Sequence, residues 1–111
     1  MTALSTAPLS MQNCRPGVPR LADAAVDAAL PALPGWSRVD GTLRKTFGFP
    51  DYCRTIAFVN AVAWIAGRQD HHPDLDVRYN RCGVTLSTHD AGGVTLNDFI
   101  CAARIDALGA A

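Results

Sequence analysis

The sequence predicts a two-layer α+β domain in which three helices cover one face of a four-stranded, largely antiparallel sheet. The predicted element order is α-β-β-α-β-β-α. Three segments carry apolar residues at helical spacing, and two pairs of short segments carry alternating apolar residues between them. The members of each pair are joined by a short link that contains glycine, which favours antiparallel hairpins.

The first helix and the first hairpin follow directly from turn and breaker residues. The helix is predicted over residues 21–33, an alanine-rich stretch that a Pro-Gly pair ends. A short strand over 36–39 leads into Asp40-Gly41, which is a strong signal for a two-residue hairpin turn. The second strand follows over 43–49, with its aromatic side chains on one face.

The second helix is predicted from Pro50 and Asp51 to about residue 66. Proline suits a first helical turn, and an acidic residue there matches the helix dipole. The helix carries two apolar stripes, which are Tyr52, Ile56, Val59, Ala63 and Ala66, and Phe58, Val62 and Ile65. A helix that is apolar on two sides is buried on two sides, so we expect one stripe to face the sheet and the other a second subunit.

The second pair of strands and the last helix complete the domain. The strands are predicted over 75–79 and 84–88, joined by a short link over 80–83. A glycine-rich loop over 90–94 follows, and Thr95 is expected to cap the third helix. The apolar residues of that helix at one-face spacing are Leu96, Phe99, Ile100, Ala103 and Ala107.

Length and charge limit the classes of protein. The chain has 111 residues, enough for one small domain with one core. Its ten basic and ten acidic side chains cancel, which argues against direct binding of nucleic acid through a basic surface. It lacks a stretch of about 18 apolar residues, so no membrane association through a spanning helix is expected. Residues 1–20 are small, polar and dotted with proline, and we interpret them as a disordered tail before a domain over 21–111.

The cysteines and the N-terminus predict a cytoplasmic location. The four cysteines are widely spaced and form no C-x-x-C pair; they are Cys14, Cys53, Cys82 and Cys101. We interpret them as reduced thiols, and a scaffold of two disulfides is the alternative. The N-terminus has no cationic start followed by an apolar run, so it does not match a secretory signal.

The three histidines are the strongest candidates for chemistry. His71, His72 and His89 are the only histidines, and they fall within one short segment. Antiparallel pairing of the last two strands would bring His89 back beside the His71-His72-Pro73 turn. Imidazole gives and takes a proton near neutral pH, so this arrangement indicates proton transfer. Structural histidines and a metal site are the alternatives, although adjacent histidines chelate poorly and no cysteine pair helps.

Asp98 and Tyr79 each have a structural interpretation. The segment from Thr95 to Asp98 resembles a capping box with aspartate in place of the usual glutamate. Capping alone accounts for Asp98, and a second role at the histidine site stays open. Tyr79 is expected in the core or in the aromatic wall of a pocket.

In these residues the chain resembles the pterin-4a-carbinolamine dehydratase family. The family pattern is His-His-Pro, five or six residues, an aromatic residue, nine residues, His, eight or more residues, and Asp. The matching residues are His71, His72, Pro73, Tyr79, His89 and Asp98. The resemblance covers residues 21–108. It departs from the family at Gly67, where an acidic or basic residue is usual, and a glycine there favours an early end of the second helix.

The resemblance implies a lyase that needs no metal and no redox cofactor. The family removes water from 4a-hydroxytetrahydrobiopterin, the carbinolamine left when aromatic amino-acid hydroxylases use tetrahydrobiopterin, and forms quinonoid dihydropterin. By resemblance, acid/base roles fall on His71, His72 and His89, pterin contacts on Asp70, Ser87, Thr88 and Asp90, and supporting roles on Pro73, Tyr79 and Asp98. The pterin is the substrate.

The resemblance also implies partners. Family members form homodimers or homotetramers, which agrees with the two-sided apolar helix. One animal member is also a dimerisation cofactor for a homeodomain transcription factor, and a related domain resembles a Rubisco assembly factor. A non-catalytic protein-binding or assembly module on the same fold is therefore the alternative function. The presence of all three histidines favours the enzyme.

Overall fold

The secondary structure has the predicted α-β-β-α-β-β-α order. A computed structural model describes residues 8–108. The helices are α1 (Asp23–Ala29), α2 (Tyr52–Gln69) and α3 (Leu96–Leu108). The strands are β1 (Ser37–Val39), β2 (Thr42–Gly48), β3 (Asp74–Val77) and β4 (Arg81–Leu86). Short 3₁₀ turns lie at Leu9–Met11, Leu30–Ala32 and His89–Ala91.

The four strands form one sheet in the order β1-β2-β4-β3, and every neighbouring pair is antiparallel. The longest ladder joins β2 to β4, with register from Leu43 opposite Leu86 to Gly48 opposite Arg81. The predicted α+β class and antiparallel sheet are therefore confirmed. β3 lies at one edge of the sheet, next to β4, and this hairpin positions the candidate site.

One face of the sheet and the inner faces of the helices form the core. The buried core residues of the central strands are Leu43, Cys82, Val84 and Leu86. Those of α2 and α3 include Phe58, Val62, Ile65, Phe99 and Ile105. Arg44 and Thr46 of β2 are exposed on the opposite face, so the helices cover one face only. This alternation is the period-two pattern expected of a half-buried strand.

The two hairpins differ in how well their turns were predicted. Asp40 and Gly41 have φ of 48° and 74°, which is the left-handed backbone of the predicted two-residue turn. In the second hairpin the turn lies at residues 79–80, because the amide of Arg78 donates to the carbonyl of Arg81 at 2.8 Å. The predicted link over 80–83 is therefore largely part of β4, where Gly83 pairs with both neighbouring strands.

α2 runs through Gly67 and ends at Gln69, one turn later than predicted. Asp51 caps its start by accepting a hydrogen bond from the amide of Arg54 at 2.8 Å. Its end is set by Asp70, whose φ of 49° turns the chain out of the helix. The expected early end at Gly67 is wrong, because the hydrogen bonds of the last turn continue to the amide of Asp70. No helix in the described part of the chain is long and apolar enough to cross a bilayer.

α1 is shorter than the predicted span of 21–33. The regular helix covers Asp23–Ala29, and a 3₁₀ turn over Leu30–Ala32 follows. Pro31 lies within that turn and has no amide hydrogen to donate, so the α-helical ladder cannot continue through it. The helix therefore ends before the Pro-Gly pair that was taken as its terminator.

The segment before α1 packs on the domain, although a disordered tail was expected over 1–20. In its described part the amide of Cys14 donates to Gln69 Oε1 at 2.7 Å. The amide of Arg15 donates to Asn97 Oδ1 at 3.0 Å, and Asn97 Nδ2 donates back to the carbonyl of Arg15 at 2.7 Å. These contacts join main chain to side chain, so composition gives no sign of them. We call residues 12–20 the docked segment; residues 1–7 lie outside the described range.

Candidate active site

A buried ion pair between His71 and Asp98 is the centre of the candidate site. His71 Nε2 lies 2.6 Å from Asp98 Oδ1, and the two side chains are 11% and 0% exposed. The hydrogen bond that His71 donates to Asp98 raises the pKa of His71, and the nearby carboxylate charge adds to this against the opposing effect of burial. His71 is therefore held protonated to higher pH than an ordinary histidine.

Asp98 is fixed by two further hydrogen bonds on its other oxygen. Oδ2 accepts from the Thr88 hydroxyl at 2.9 Å and from the Thr95 amide at 2.9 Å. The two threonine hydroxyls lie 2.8 Å apart. The Thr95 contact is the predicted helix cap, and the His71 contact is the second role that the sequence left open. Both contacts exist together, because they use different oxygens of one buried carboxylate.

The β3–β4 hairpin brings these residues together. His71 precedes β3, and Thr88 follows β4. Because Asp74 of β3 lies opposite Thr85 of β4, both segments meet at the same end of the sheet. The meeting of these two segments agrees with the predicted strand pairing, and the predicted gathering of all three histidines stays a prediction. Asp70 sets the direction of His71, since its left-handed turn lets the His71 amide donate back to the last turn of α2.

A cavity of about 570 Å³ opens beside this pair. It is lined by residues 14–20 and by Gln69, Asp70, His71, Thr88, Asp90, Ala91 and Asn97. Four of the predicted site residues, Asp70, His71, Thr88 and Asp90, therefore share one cavity. Its volume is within the range of pockets that bind small organic ligands, roughly 300 to 1,000 Å³. The wall made by the docked segment was missed by the sequence analysis, which took those residues for a tail.

The other two histidines are exposed and lie next to lining residues. His72 directly follows His71, and half-buried Pro73 leads from it into β3. His89 begins a 3₁₀ turn after Thr88 and does not end a strand as expected. In residues 8–108 no three His, Cys, Asp or Glu side chains are grouped as ligands for one metal ion.

Ser87 and Tyr79 make contacts outside the cavity. The Ser87 hydroxyl donates to the carbonyl of Gly41 at 3.2 Å. Tyr79 was expected in the core or in a pocket wall, but it is 66% exposed at the turn of the β3–β4 hairpin. Its ring stacks on that of Tyr52, with centroids 6.2 Å apart. The turn lies at the opposite end of the hairpin from His71, so Tyr79 does not join the cavity.

The cysteines are free thiols in the structure, as the sequence analysis interpreted them. Two of them are in contact, since Sγ of Cys14 in the docked segment lies 3.5 Å from Sγ of Cys101 in α3. The hydrogen bond with Cys101 lowers the pKa of Cys14, whereas the same contact and burial raise the pKa of Cys101. The pair adds a tertiary contact between the docked segment and α3.

Most of this chain can be aligned with related proteins. A protein of Chromobacterium violaceum named "Putative pterin-4-alpha-carbinolamine dehydratase" is 57% identical over 98 residues, which cover 86% of this chain and 91% of that protein. A protein of Stenotrophomonas maltophilia with the same name is 51% identical over 106 residues, covering 91% of each.

Two solved structures share the fold. The transcriptional coactivator/pterin dehydratase from Brucella melitensis has a TM-score of 0.78 and 37% identity, covering 81% of this chain and 98% of that one. A pterin dehydratase-like protein identified as a RuBisCO assembly factor in the alpha-carboxysome has a TM-score of 0.57 and 27% identity, covering 68% and 88%. The model of the pterin 4 alpha carbinolamine dehydratase family matches residues 19–108, and the chain belongs to that family.

Proposed function

We propose that the protein dehydrates a 4a-hydroxytetrahydropterin, such as 4a-hydroxytetrahydrobiopterin, to the quinonoid dihydropterin in the recycling of tetrahydrobiopterin. Family membership supports pterin carbinolamine dehydratase activity in general. The observation that carries the specific proposal is the ion pair between His71 and buried Asp98, which lies at the wall of a cavity of about 570 Å³.

The reaction needs one proton donor and one proton acceptor. The bond between C4a and its hydroxyl breaks, and the hydroxyl leaves as water after it receives a proton. The lone pair of N5 forms the new double bond to C4a, and N5 then loses its proton. One proton enters and one leaves, so neither an oxidant nor a reductant takes part. A positioned acid and base typically contribute about 10² to 10⁴-fold to such a step.

His71 is suited to donate the proton to the leaving hydroxyl. Its Nε2 is bound by Asp98, which leaves Nδ1 as the nitrogen available to the substrate. The raised pKa of His71 keeps the imidazolium populated near neutral pH. After the transfer Nε2–H still donates to Asp98, so the neutral ring keeps its orientation.

His72 and His89 are the proposed acceptors for the N5 proton. Both are exposed, and each adjoins a residue of the cavity wall in sequence. Pro73 restricts the backbone of His72 to extended conformations, which fixes where its ring can lie. The pterin contacts are assigned to Asp70, Thr88 and Asp90 of the cavity wall and to Ser87 through its backbone.

The test is the dehydration rate of histidine variants. We expect His71→Ala, His72→Ala and His89→Ala each to lower the rate. His71 is the proposed proton donor, and His72 and His89 are the proposed proton acceptors. Tyr79→Phe is the control, since its ring is exposed away from the cavity, and it should keep the wild-type rate. Wild-type rates in all three alanine variants would overturn the histidine assignment.

A second candidate function is binding or assembly of a partner protein without catalysis. It is supported by the structural neighbour that was identified as a RuBisCO assembly factor. Capture of one specific partner by His71→Ala protein that has no dehydratase activity would support it. Loss of all partner binding in that protein, with activity in the wild type, would contradict it.

We also propose a cytoplasmic homodimer or homotetramer. Tyr52 and Trp64 of α2 are 53% and 65% exposed, and large exposed aromatic side chains are typical of interfaces. The free thiols agree with a reducing compartment. Light scattering at micromolar concentration is expected to give a mass of two or four chains, and the mass of one chain would refute the oligomer.

A further inference from the structure

The docked segment places a cation in the cavity wall that the proposed mechanism does not use. Arg15 lines the cavity together with its neighbours in the segment. Its main chain is held at both ends by Asn97, a side chain only 7% exposed, through the 3.0 and 2.7 Å hydrogen bonds. The position of the residue is therefore fixed by its backbone, and its guanidinium is not needed to dock the segment.

The Arg15 guanidinium has no protein partner among residues 8–108, since the hydrogen bonds of Arg15 there are made by its main chain. Arg20, the other arginine of this wall, differs. Its guanidinium lies 3.8 Å from the Asp23 carboxylate, and its side chain packs over Gly93. The Arg15 guanidinium therefore presents N–H donors without a protein partner at the cavity wall. Their planar arrangement is suited to oxygen acceptors.

The acceptors in the remaining wall suggest which side of a pterin they bind, and so which side is left for the Arg15 donors. Asp70 and Asp90 are acceptors, which suit the amino group and ring N–H on the pyrimidine side of the pterin. The reacting carbon C4a must lie near His71. The C6 substituent is on the far side of the reacting atoms from the pyrimidine amino group. With the pyrimidine side on these carboxylates, the C6 substituent needs donors elsewhere in the wall, and Arg15 is a lining residue with a guanidinium available for its oxygens.

We propose that Arg15 is a specificity-determining residue that donates hydrogen bonds to oxygen atoms of the C6 substituent. The site would accordingly favour pterins with a hydroxylated side chain over those with an alkyl group. This inference rests on the proposed function, because it assumes that a pterin occupies the cavity. It assigns the docked segment to substrate recognition, beyond the acid/base residues.

The test compares two carbinolamines in the wild type and Arg15→Ala, one with a dihydroxypropyl group and one with a methyl group at C6. We expect Arg15→Ala to lower kcat/KM about tenfold for the hydroxylated substrate, the size typical of a hydrogen bond from a charged donor. The loss should appear in KM, and the methyl substrate should change little. Arg15→Lys should lie between the two, because an ammonium lacks the planar fork.

Two further variants separate recognition from structure. Arg78→Ala is the matched control, since its guanidinium pairs with exposed Asp76 at the hairpin and away from the cavity. Asn97→Ala removes both hydrogen bonds that hold the Arg15 main chain, so it should reproduce the selective loss. An equal loss on both substrates in Arg15→Ala, or no loss on either, would overturn the inference.

If the proposed function is wrong, the result differs from the results that would overturn the Arg15 inference. In that case the wild type would accelerate neither carbinolamine. Fluorescence titration with 7,8-dihydrobiopterin and 6-methyl-7,8-dihydropterin still tests Arg15, since it needs no turnover. Weaker binding of dihydrobiopterin alone by Arg15→Ala supports the inference, and equal affinities of wild type and variant for both ligands would overturn it.

Discussion

Replacement of Asp98 by asparagine removes the charge of the central ion pair and keeps its shape. The amide oxygen of Asn can still accept from Thr88 and from the Thr95 amide, so the cap of α3 is preserved. Its NH₂ group then faces His71 Nε2, where the wild type has a carboxylate oxygen at 2.6 Å. Two donors cannot pair, so His71 must become neutral and present Nε2 as an acceptor.

The expected cost follows from burial. The Asp98 side chain is fully buried and that of His71 is 11% exposed, so solvent screens their attraction little. A hydrogen bond to a charged group typically contributes about 1.5 to 3 kcal/mol, and we expect Asp98→Asn to lower the free energy of unfolding by about 2 to 3 kcal/mol at pH 6. The loss of the cap, typically about 1 kcal/mol, is not added, because the cap remains.

The sign of the pH dependence is fixed by His71. Its pKa is raised in the folded protein, so its protonation stabilises the fold fully below the ordinary value of about 6.5. That contribution is lost as pH rises through the raised pKa. Asp98→Asn should therefore cost more at pH 6 than at pH 9, where a smaller fraction of the wild-type histidine is protonated.

Urea unfolding followed by tryptophan fluorescence at pH 6 and pH 9 measures this difference. Asp27→Asn is the control, because Asp27 forms an exposed ion pair with Arg38 and its removal should change stability little at either pH. Equal losses at both pH values, or a loss no greater than that of the control, would refute the account of the ion pair.

Three further outcomes are expected. The dehydration rate should fall as pH rises through the raised pKa of His71, and Asp98→Asn should move that fall to lower pH; a pH profile of kcat/KM checks both. Alanine at exposed His72 or His89 should lower the rate by about 10²-fold without changing the urea midpoint. Gly67→Ala should raise the free energy of unfolding by about 0.5 to 1 kcal/mol in the same urea assay, because Gly67 is an exposed helical residue and, apart from its chain neighbours and the backbone of its own helix, no atom lies within 4 Å of an added Cβ.

The order of elements was predictable because it is encoded locally. Apolar spacing separates helix from strand, and Asp40-Gly41 alone specifies the first hairpin. The ends of elements were less predictable. Gly67 lies inside α2 because tertiary packing outweighs a weak local preference, and Gly83 lies inside β4 because both neighbouring strands pair with it.

The candidate site likewise has one part that could be predicted from the sequence and one part that could not. The approach of His71 to the segment after β4 follows from one antiparallel hairpin, so sequence reasoning reached it. The docked segment was missed because its anchors are hydrogen bonds between its main chain and the side chains of Asn97 and Gln69, which leave no pattern in side-chain composition. Tyr79 matches the family spacing, but its place at the hairpin turn depends on the register of β3 and β4.

The central claim is the dehydration of a 4a-hydroxytetrahydropterin by the His71–Asp98 site. It is tested most directly by mixing freshly generated 4a-hydroxytetrahydrobiopterin with the protein and following the loss of its ultraviolet absorbance. Wild-type protein is expected to accelerate this loss well above the buffer rate, and His71→Ala, shown to be folded by circular dichroism, is expected to do so far less. Wild-type protein that leaves the rate at the buffer value, or His71→Ala that matches the wild type, would contradict it.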